Sequence, residues 1–314
     1  MNSNKKIKIY IAGHSGMVGS SCWRVLEKLG YSNLIGISSD KLDLKKQSQV
    51  FKFIKETKPN VIINAAAKVG GILANKNFPY EFLLDNMQIQ NNLISSAHEL
   101  NTSKFIFLGS SCIYPRLSLQ PIRENYLLTD SLEPTNESYA VAKISGLKLC
   151  EAIRKQFSKD FVSLMPCNLY GPEDNFNLET SHVIPALIKK FHNAKQNNQS
   201  KLNLWGTGKP LREFLYVDDL ANAVVLAIEN KLPESIYNVG SSKEISIKAL
   251  AEIIKSKIGY NGIINWDHTK PDGTPRKLLD SSKIMQLGWK PSCDLNNGIE
   301  NTYSWFLENQ SNLN

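Results

Sequence analysis

The stretch IKIYIAGHSGMVGSSCWRVLEKLG, near the start of the chain, constrains the fold more than any other. An apolar, β-branched run meets three glycines spaced three apart, Gly13, Gly16 and Gly19, and an amphipathic helical period follows. At a strand-to-helix junction such glycines serve a tight turn, close approach of backbone to a pyrophosphate, and helix–strand packing. The helix start adds free N–H groups and a positive dipole end, which suit phosphates. A merely tight turn also uses glycine. The strand before the loop and the helix after it are what point to a dinucleotide.

The alternation continues. NLIGIS, NVIINAAA, KFIFLGSS and FVSLMP read as strands, with helical segments QSQVFKFIKETKP, FLLDNMQIQNNLISSAHELN and YAVAKISGLKLCEAIRKQF between them. Strand–helix alternation specifies a parallel, doubly wound α/β sheet of Rossmann type. The pattern loosens after NLYGP (168–172), through a helix at HVIPALIKKFHNA, the polar tract KQNNQSK, and NLWGTGKPLREFLYVDD. DLANAVVLAIEN and IYNVG then return to the sheet, and IKALAEIIKSKIG, PDGTPRKLLD and KIMQLGWKP form another small α/β patch. The expected organisation is a dinucleotide-binding domain over 1–166 plus 214–240, interwoven with a smaller α/β substrate lobe over 167–213 plus 241–314.

Composition removes several classes. No apolar run approaches the ~20 residues of a membrane span. The basic amino terminus precedes an apolar run too short for the roughly 7–15 residues of a signal peptide, so a cytoplasmic chain is expected. Five cysteines, Cys22, Cys112, Cys150, Cys167 and Cys293, are scattered without a CxxC pair, which argues against a disulfide framework or a metal site. The net charge of +8 is dispersed and no nucleic-acid motif accompanies it. A small polyanionic ligand and a solvated basic surface both account for that charge.

Two stretches carry chemistry. GSSCIYP brings Ser110, Ser111 and Cys112 to the end of a buried-looking strand. Small polar residues can simply finish a strand, and a free cysteine is usually a small buried hydrophobe; alternatively the three face a substrate. ESYAVAKISG places Tyr139 and Lys143 one helical turn apart. An ammonium ~4 Å from a phenol at an effective dielectric of ~20 contributes ~4 kcal/mol. Before desolvation takes some of it back, that is nominally enough to bring a phenol of pKa ~10 toward neutrality. The alternative is an exposed lysine beside a capping tyrosine. For cofactor choice, a carboxylate about 20 residues past the glycines favours NAD. Here Ser38 and Ser39 follow the second strand, and Lys41 can attract a 2′-phosphate, which favours NADP. Asp40 turned inward would reverse that.

Taken together, GHSGMVG, AAAKVGGI, LGSSCIYP, EPTNESYAVAKISGLKLCE, NLYGPEDNF, SHVIPALIKKFH, REFLYVDDL and KPDGTPRKLLD resemble the extended short-chain dehydrogenase/reductases. Within them the chain is similar to the GDP-L-fucose synthase family over about residues 6 to 309. The resemblance implies an NADP(H)-dependent, bifunctional epimerase/reductase acting on GDP-4-keto-6-deoxy-mannose. It would invert carbons 3 and 5 and then reduce carbon 4. Cys112 is implied as the base and His182 as the acid, with Ser110 and Tyr139 on the ketone oxygen and Lys143 beside them. SH before VIPAL also reads as a plain helix start with Ser181 as cap.

For the cofactor the resemblance implies the loop Gly13, His14, Ser15, Gly16, Met17, Val18 and Gly19, then Ser38, Ser39 and Lys41. It adds Leu108, Gly109, Ser110 and Ser111 at one strand end, Tyr139 and Lys143, and His182. Pro166, Cys167, Asn168 and Leu169 would lie beside the nicotinamide. Lys190, Trp205, Arg212 and Asp272 are implied for GDP, and no metal. Ser15 and Ser39 stand where some relatives carry arginine, which bears on the strength of NADP preference. The family pairs two copies through the helix after Asn75 and the helix of Tyr139, so a homodimer through a helix bundle is expected. The rivals are a 4-epimerase or 4,6-dehydratase of the same superfamily and a non-catalytic dinucleotide sensor. A sensor could lose Tyr139, Lys143, Cys112 or His182, and all four are present.

Overall fold

The computed structural model describes residues 4–270 and 272–312. β1 (Ile9–Ala12), β2 (Leu34–Ile35), β3 (Val61–Asn64), β4 (Lys104–Leu108), β5 (Asp160–Pro166) and, after an excursion, β9 (Ile236–Val239) form one sheet. Its order is β2-β1-β3-β4-β5-β9 and every pairing is parallel. Ile9, Ile11, Ile62, Ile63, Phe105, Phe107, Phe161 and Leu164 are wholly enclosed. Continuous apolar runs of that kind are what a parallel sheet covered on both faces requires. One helical layer pairs α1 (Met17–Lys28) with α7 (Val217–Glu229); the other joins α2 (Gln47–Thr57), α4 (Pro79–Glu99) and α5 (Glu137–Phe157). Strand order reverses between β1 and β3, so a ligand crevice opens at the carboxyl ends of those strands.

The expected strands are present, with differences that have physical causes. NLIGIS shrinks to Leu34–Ile35, an edge strand bonded on one side only. At Gly36 the imidazole of His14 occupies the space a Cβ would need, and the chain turns away from the ladder. The long helix begins earlier than its apolar period, at Pro79, whose fixed φ suits a first helical turn. It follows a short α3 (Ile72–Asn77). A carboxyl-terminal helix, α10 (Leu295–Asn309), goes beyond the sequence reading; Asp294 caps it by accepting from the Asn297 amide.

The second lobe is built round β8 (Leu211–Tyr216). β10 (Glu244–Ser246) pairs with it antiparallel, and β12 (Arg276–Lys277) and β6 (Asn168–Tyr170) pair with it parallel. β7 (Lys201–Trp205) and β11 (Ile263–Asp267) make a separate parallel pair. α6 (Val183–Gln196), α8 (Ile247–Ile258) and α10 bury Ile188, Phe191, Leu250, Ile254 and Ile299 in its core. The interweaving runs further than the segment 214–240. Phe214 and Tyr216 belong to the second core, while Leu279, Ile284 on α9 (Ser282–Gln286) and Trp289 return to the first. Glu213, fully buried, links the return by accepting from the Ser242 amide (2.6 Å) and the Leu279 amide (2.9 Å).

Candidate active site

At the glycine loop the three positions divide their work. Gly13 has φ +80°, which L side chains rarely adopt, and a Cβ there would lie 2.8 Å from Ala66 Cα. A Cβ on Gly19 would overlap the Gly13 carbonyl, so Gly19 lets α1 press against the strand end. Gly16 is the open one: its nearest neighbour to a Cβ would be 3.7 Å away, and it and Ser15 are exposed. Gly16 also N-caps α1 without any side-chain cap or first-turn acid, leaving amides for an anion. This cradle fits the pyrophosphate of a dinucleotide. Met17 and Val18 are half-buried, and the His14 ring leans on Trp23 at 6.0 Å between centroids. Ser38 accepts the Lys41 and Leu42 amides in a turn that leaves Ser39, Asp40 and Lys41 exposed. Asp40 therefore does not turn inward.

The end of β4 carries the second group. Ser110 caps the short 3₁₀ turn Ser111–Ile113 by accepting the Cys112 amide at 3.3 Å. The hydroxyl proton stays available to a substrate oxygen. Gly109 donates to Leu164 O, and its missing Cβ leaves room for the Met165 side chain. Ser111 and Cys112 are buried. Lys143, buried on α5, donates to the Leu108 carbonyl at 2.9 Å. That bond fixes the helix carrying Tyr139 to the strand end carrying Ser110 and Cys112.

The electrostatics correct one expectation. Tyr139 is raised above its ordinary pKa, first by burial and then by Cys112, rather than lowered by its neighbour. The Lys143 ammonium lies 5.8 Å from the Tyr139 ring centroid and is itself depressed to about 8 by burial. Desolvation therefore outweighs the Coulomb attraction computed for an exposed pair. Cys112 is also raised by burial, and Lys277, the Ser110 hydrogen bond and Lys143 act against that rise.

Lys277 escaped sequence reasoning. It lies within the quoted KPDGTPRKLLD, but only the pairing of β12 with β8, Lys277 opposite Arg212, brings it within electrostatic reach of Cys112.

Ser110, Cys112, Tyr139 and Lys143 thus meet at one strand end. His182 comes from the second lobe, as the N-cap residue of α6. It takes the position given to Ser181, and neither side chain makes a capping bond; the Ser181 hydroxyl is buried without a partner. His182 keeps part of its surface open to solvent, yet enough protein surrounds its imidazole that desolvation lowers it below the ordinary value. Pro166 pairs with Val239, Cys167 is buried and donates its amide to Val239 O, and Leu169 is half-buried. Asn168 donates to the Glu213 carbonyl at 2.8 Å, which sets this strand end between the two lobes.

The GDP candidates gather on the second lobe. Lys190 lies 5.5 Å from the Trp205 ring centroid and Lys270 5.8 Å, so the exposed indole has two cations near it. Both oxygens of Asp272 accept from Thr207, at 2.9 Å from the amide and 2.6 Å from the hydroxyl. Its carboxylate first orders the turn after Trp205. Arg212 is half-buried and donates to the Leu211 carbonyl at 2.8 Å.

The family model described as the NAD dependent epimerase/dehydratase family matches residues 9–240. The chain belongs to that family. Within the epimerase/dehydratases it is similar to GDP-L-fucose synthase 1 of Arabidopsis thaliana, 52% identical over 310 residues, covering 99% of this chain and 96% of that protein. It is 47% identical over 314 residues to the GDP-L-fucose synthase of Escherichia coli, covering 97% and 98%. A GDP-L-fucose synthetase from Naegleria fowleri solved with NADP bound superposes with a TM-score of 0.91 at 30% identity, covering 99% and 96%. Among the described residues no cluster of candidate ligands could hold a metal, and no helix is long and apolar enough to cross a membrane.

Proposed function

We propose that this protein is a GDP-L-fucose synthase. It converts GDP-4-keto-6-deoxy-mannose to GDP-L-fucose by inverting carbons 3 and 5 and reducing carbon 4 with NADPH. The observation that carries the reading is the gathering of Ser110, Cys112, Tyr139 and Lys143 at one strand end, in a chain 52% identical to such a synthase over nearly its full length.

The glycine loop, the Ser38–Lys41 turn, the Leu108–Ser111 strand end, the Pro166–Leu169 strand end, Lys143 and His182 would hold NADP(H). When bound, NADPH supplies the hydride for carbon 4. Lys41 on an exposed turn attracts the 2′-phosphate in place of the arginines of some relatives. Lys190, Trp205, Arg212 and Asp272 would hold GDP: arginine matches a diphosphate, and the indole offers a flat face to base or sugar.

Inversion needs a base on one face of the sugar and an acid on the other, because a single group tends to return the proton to the face it left. Cys112 is the base and His182 the acid. The ketone at carbon 4 acidifies both neighbouring carbons. Ser110 and Tyr139 donate to its oxygen and so stabilise the enolate that forms when Cys112 removes a proton. Lys277 and Lys143 favour the Cys112 thiolate against the burial that opposes it. In the reduction Tyr139 gives its proton to the oxygen of carbon 4, and its raised pKa keeps it in the protonated form that can do so.

The protein acts in the cytoplasm as a homodimer through α4 and α5, on which Tyr80 (69% exposed) and Val141 (41%) offer apolar surface. Turnover of the 4-keto sugar nucleotide with consumption of NADPH is the test. A folded protein that leaves both unchanged overturns the reading.

A further inference from the structure

The loop Lys68–Gly71, from the motif AAAKVGGI, has no part in the chemistry above, yet it is bonded to the segment that leads to the acid. The Gly71 amide donates to the Thr180 carbonyl at 2.8 Å, two residues before His182. A Cβ on Gly71 would sit 2.9 Å from the Ser181 carbonyl oxygen, so the contact depends on glycine's missing side chain. On the short helix after the loop lies Asn75, 8% exposed. Its Nδ2 donates to the carbonyls of Gly70 (2.8 Å) and Gly71 (3.0 Å), and its amide donates to Gly71 O at 3.1 Å. Its Oδ1 is buried with no partner. A buried acceptor left unpaired is costly, and such departures from local consistency concentrate where function needs a position held.

The segment leading to His182 is otherwise held by its own neighbours. Thr180 and Ser181 amides donate to the Asn177 carbonyl, and Asn175 Nδ2 donates to the Thr180 hydroxyl. Among the described residues, the Gly71–Thr180 bond is the one hydrogen bond that reaches 177–182 from outside residues 175–186.

We propose that Asn75, acting through Gly71, is a positioning residue for His182: it fixes where the imidazole stands for the protonating half of each inversion. This rests on His182 being the acid in the reaction proposed above. A displacement of about 1 Å in a reacting group can cost on the order of 100-fold in rate.

The test compares wild type, Gly71→Ala and Asn75→Ala in heavy water with GDP-4-keto-6-deoxy-mannose. NADP⁺ replaces NADPH, so that exchange proceeds without reduction. Deuterium entry at carbons 3 and 5 is followed by NMR, and cofactor affinity by titration. Both variants should exchange about 10- to 100-fold more slowly and should weaken cofactor binding no more than His182→Gln does, since His182 is itself among the groups that would hold NADP(H). Added to His182→Gln, neither should slow exchange further, because the residues act as one unit. Wild-type exchange in Gly71→Ala and Asn75→Ala overturns the proposal, as does an undiminished loss in the His182→Gln background. If Asn75→Ala does not fold, Gly71→Ala decides alone, since it adds one methyl group against the Ser181 carbonyl. Wild type that shows no exchange overturns the reaction itself, a failure distinct from that of the positioning role.

Discussion

Lys143 donates to the Leu108 carbonyl at 2.9 Å and lies 5.8 Å from the centre of the Tyr139 ring. The ammonium is thus placed to orient the strand end more than to acidify the phenol. Burial, with Cys112 second, holds Tyr139 above its ordinary pKa. The consequence is a proton donor that stays protonated through the neutral range. That suits reduction, where an alkoxide must be quenched.

Tyr139→Phe should therefore cost the reduction about 10²- to 10⁴-fold, the usual contribution of a positioned acid. NADPH affinity should stay close to wild type. Single-turnover oxidation of NADPH measures the first and a fluorescence titration the second. Undiminished reduction would dismiss Tyr139 as donor.

Cys112→Ser should abolish deuterium exchange at the inverted carbons while cofactor binding survives. Lys277 sharpens the prediction. The Cys112 thiol is raised by burial, and Lys277 is the first of the influences that hold it down. The thiolate fraction, and with it exchange, should climb with pH in wild type. In Lys277→Met the thiol rises further, so the whole pH profile should move to the alkaline side. A profile that does not move would separate Lys277 from the base.

Lys41→Glu should weaken NADPH by on the order of tenfold, ~1.4 kcal/mol, and NADH much less. The exposed turn around Ser38 makes this an effect of charge rather than of folding. Equal losses for the two cofactors, read by competition binding, would remove Lys41 from the 2′-phosphate.

Asp174 offers a test of stability. It is buried, with one oxygen accepting from the Asn175 amide and the other unpaired, and burial raises it to about 7. The folded state then holds its proton across a window in which the unfolded chain, with a carboxyl near 4, has lost it. Stability from this group is complete below about pH 4 and is lost as pH rises through 7. Asp174→Asn escapes that loss. Relative to wild type it should gain stability between pH 4 and 7.5, on the order of a few kcal/mol at most. Chemical denaturation at a series of pH values reads the difference; a constant offset between the two proteins would contradict the burial argument.

Much of this was legible in the sequence, and the remainder was not for identifiable reasons. The roles of Gly13 and Gly19 follow from spacing because local geometry decides them. Tyr139 and Lys143 likewise declare themselves one helical turn apart. Lys277 does not, because its place beside Cys112 depends on a two-residue strand that pairs with residues 211 and 212. The sign of the Tyr139 shift is not legible for a related reason: Coulomb attraction can be written from spacing, whereas the size of the opposing desolvation depends on everything packed around the group. Asn75 and Gly71 look like an ordinary turn and helix start until Thr180 arrives against them.

The most direct measurement is a single incubation of the protein in heavy water with GDP-4-keto-6-deoxy-mannose and NADPH. Cofactor absorbance is followed and the product sugar is read by NMR. The account predicts NADPH consumed in step with GDP-L-fucose formed, deuterated at carbons 3 and 5. Folded protein with cofactor bound, no NADPH consumed and no deuterium at either carbon would contradict it.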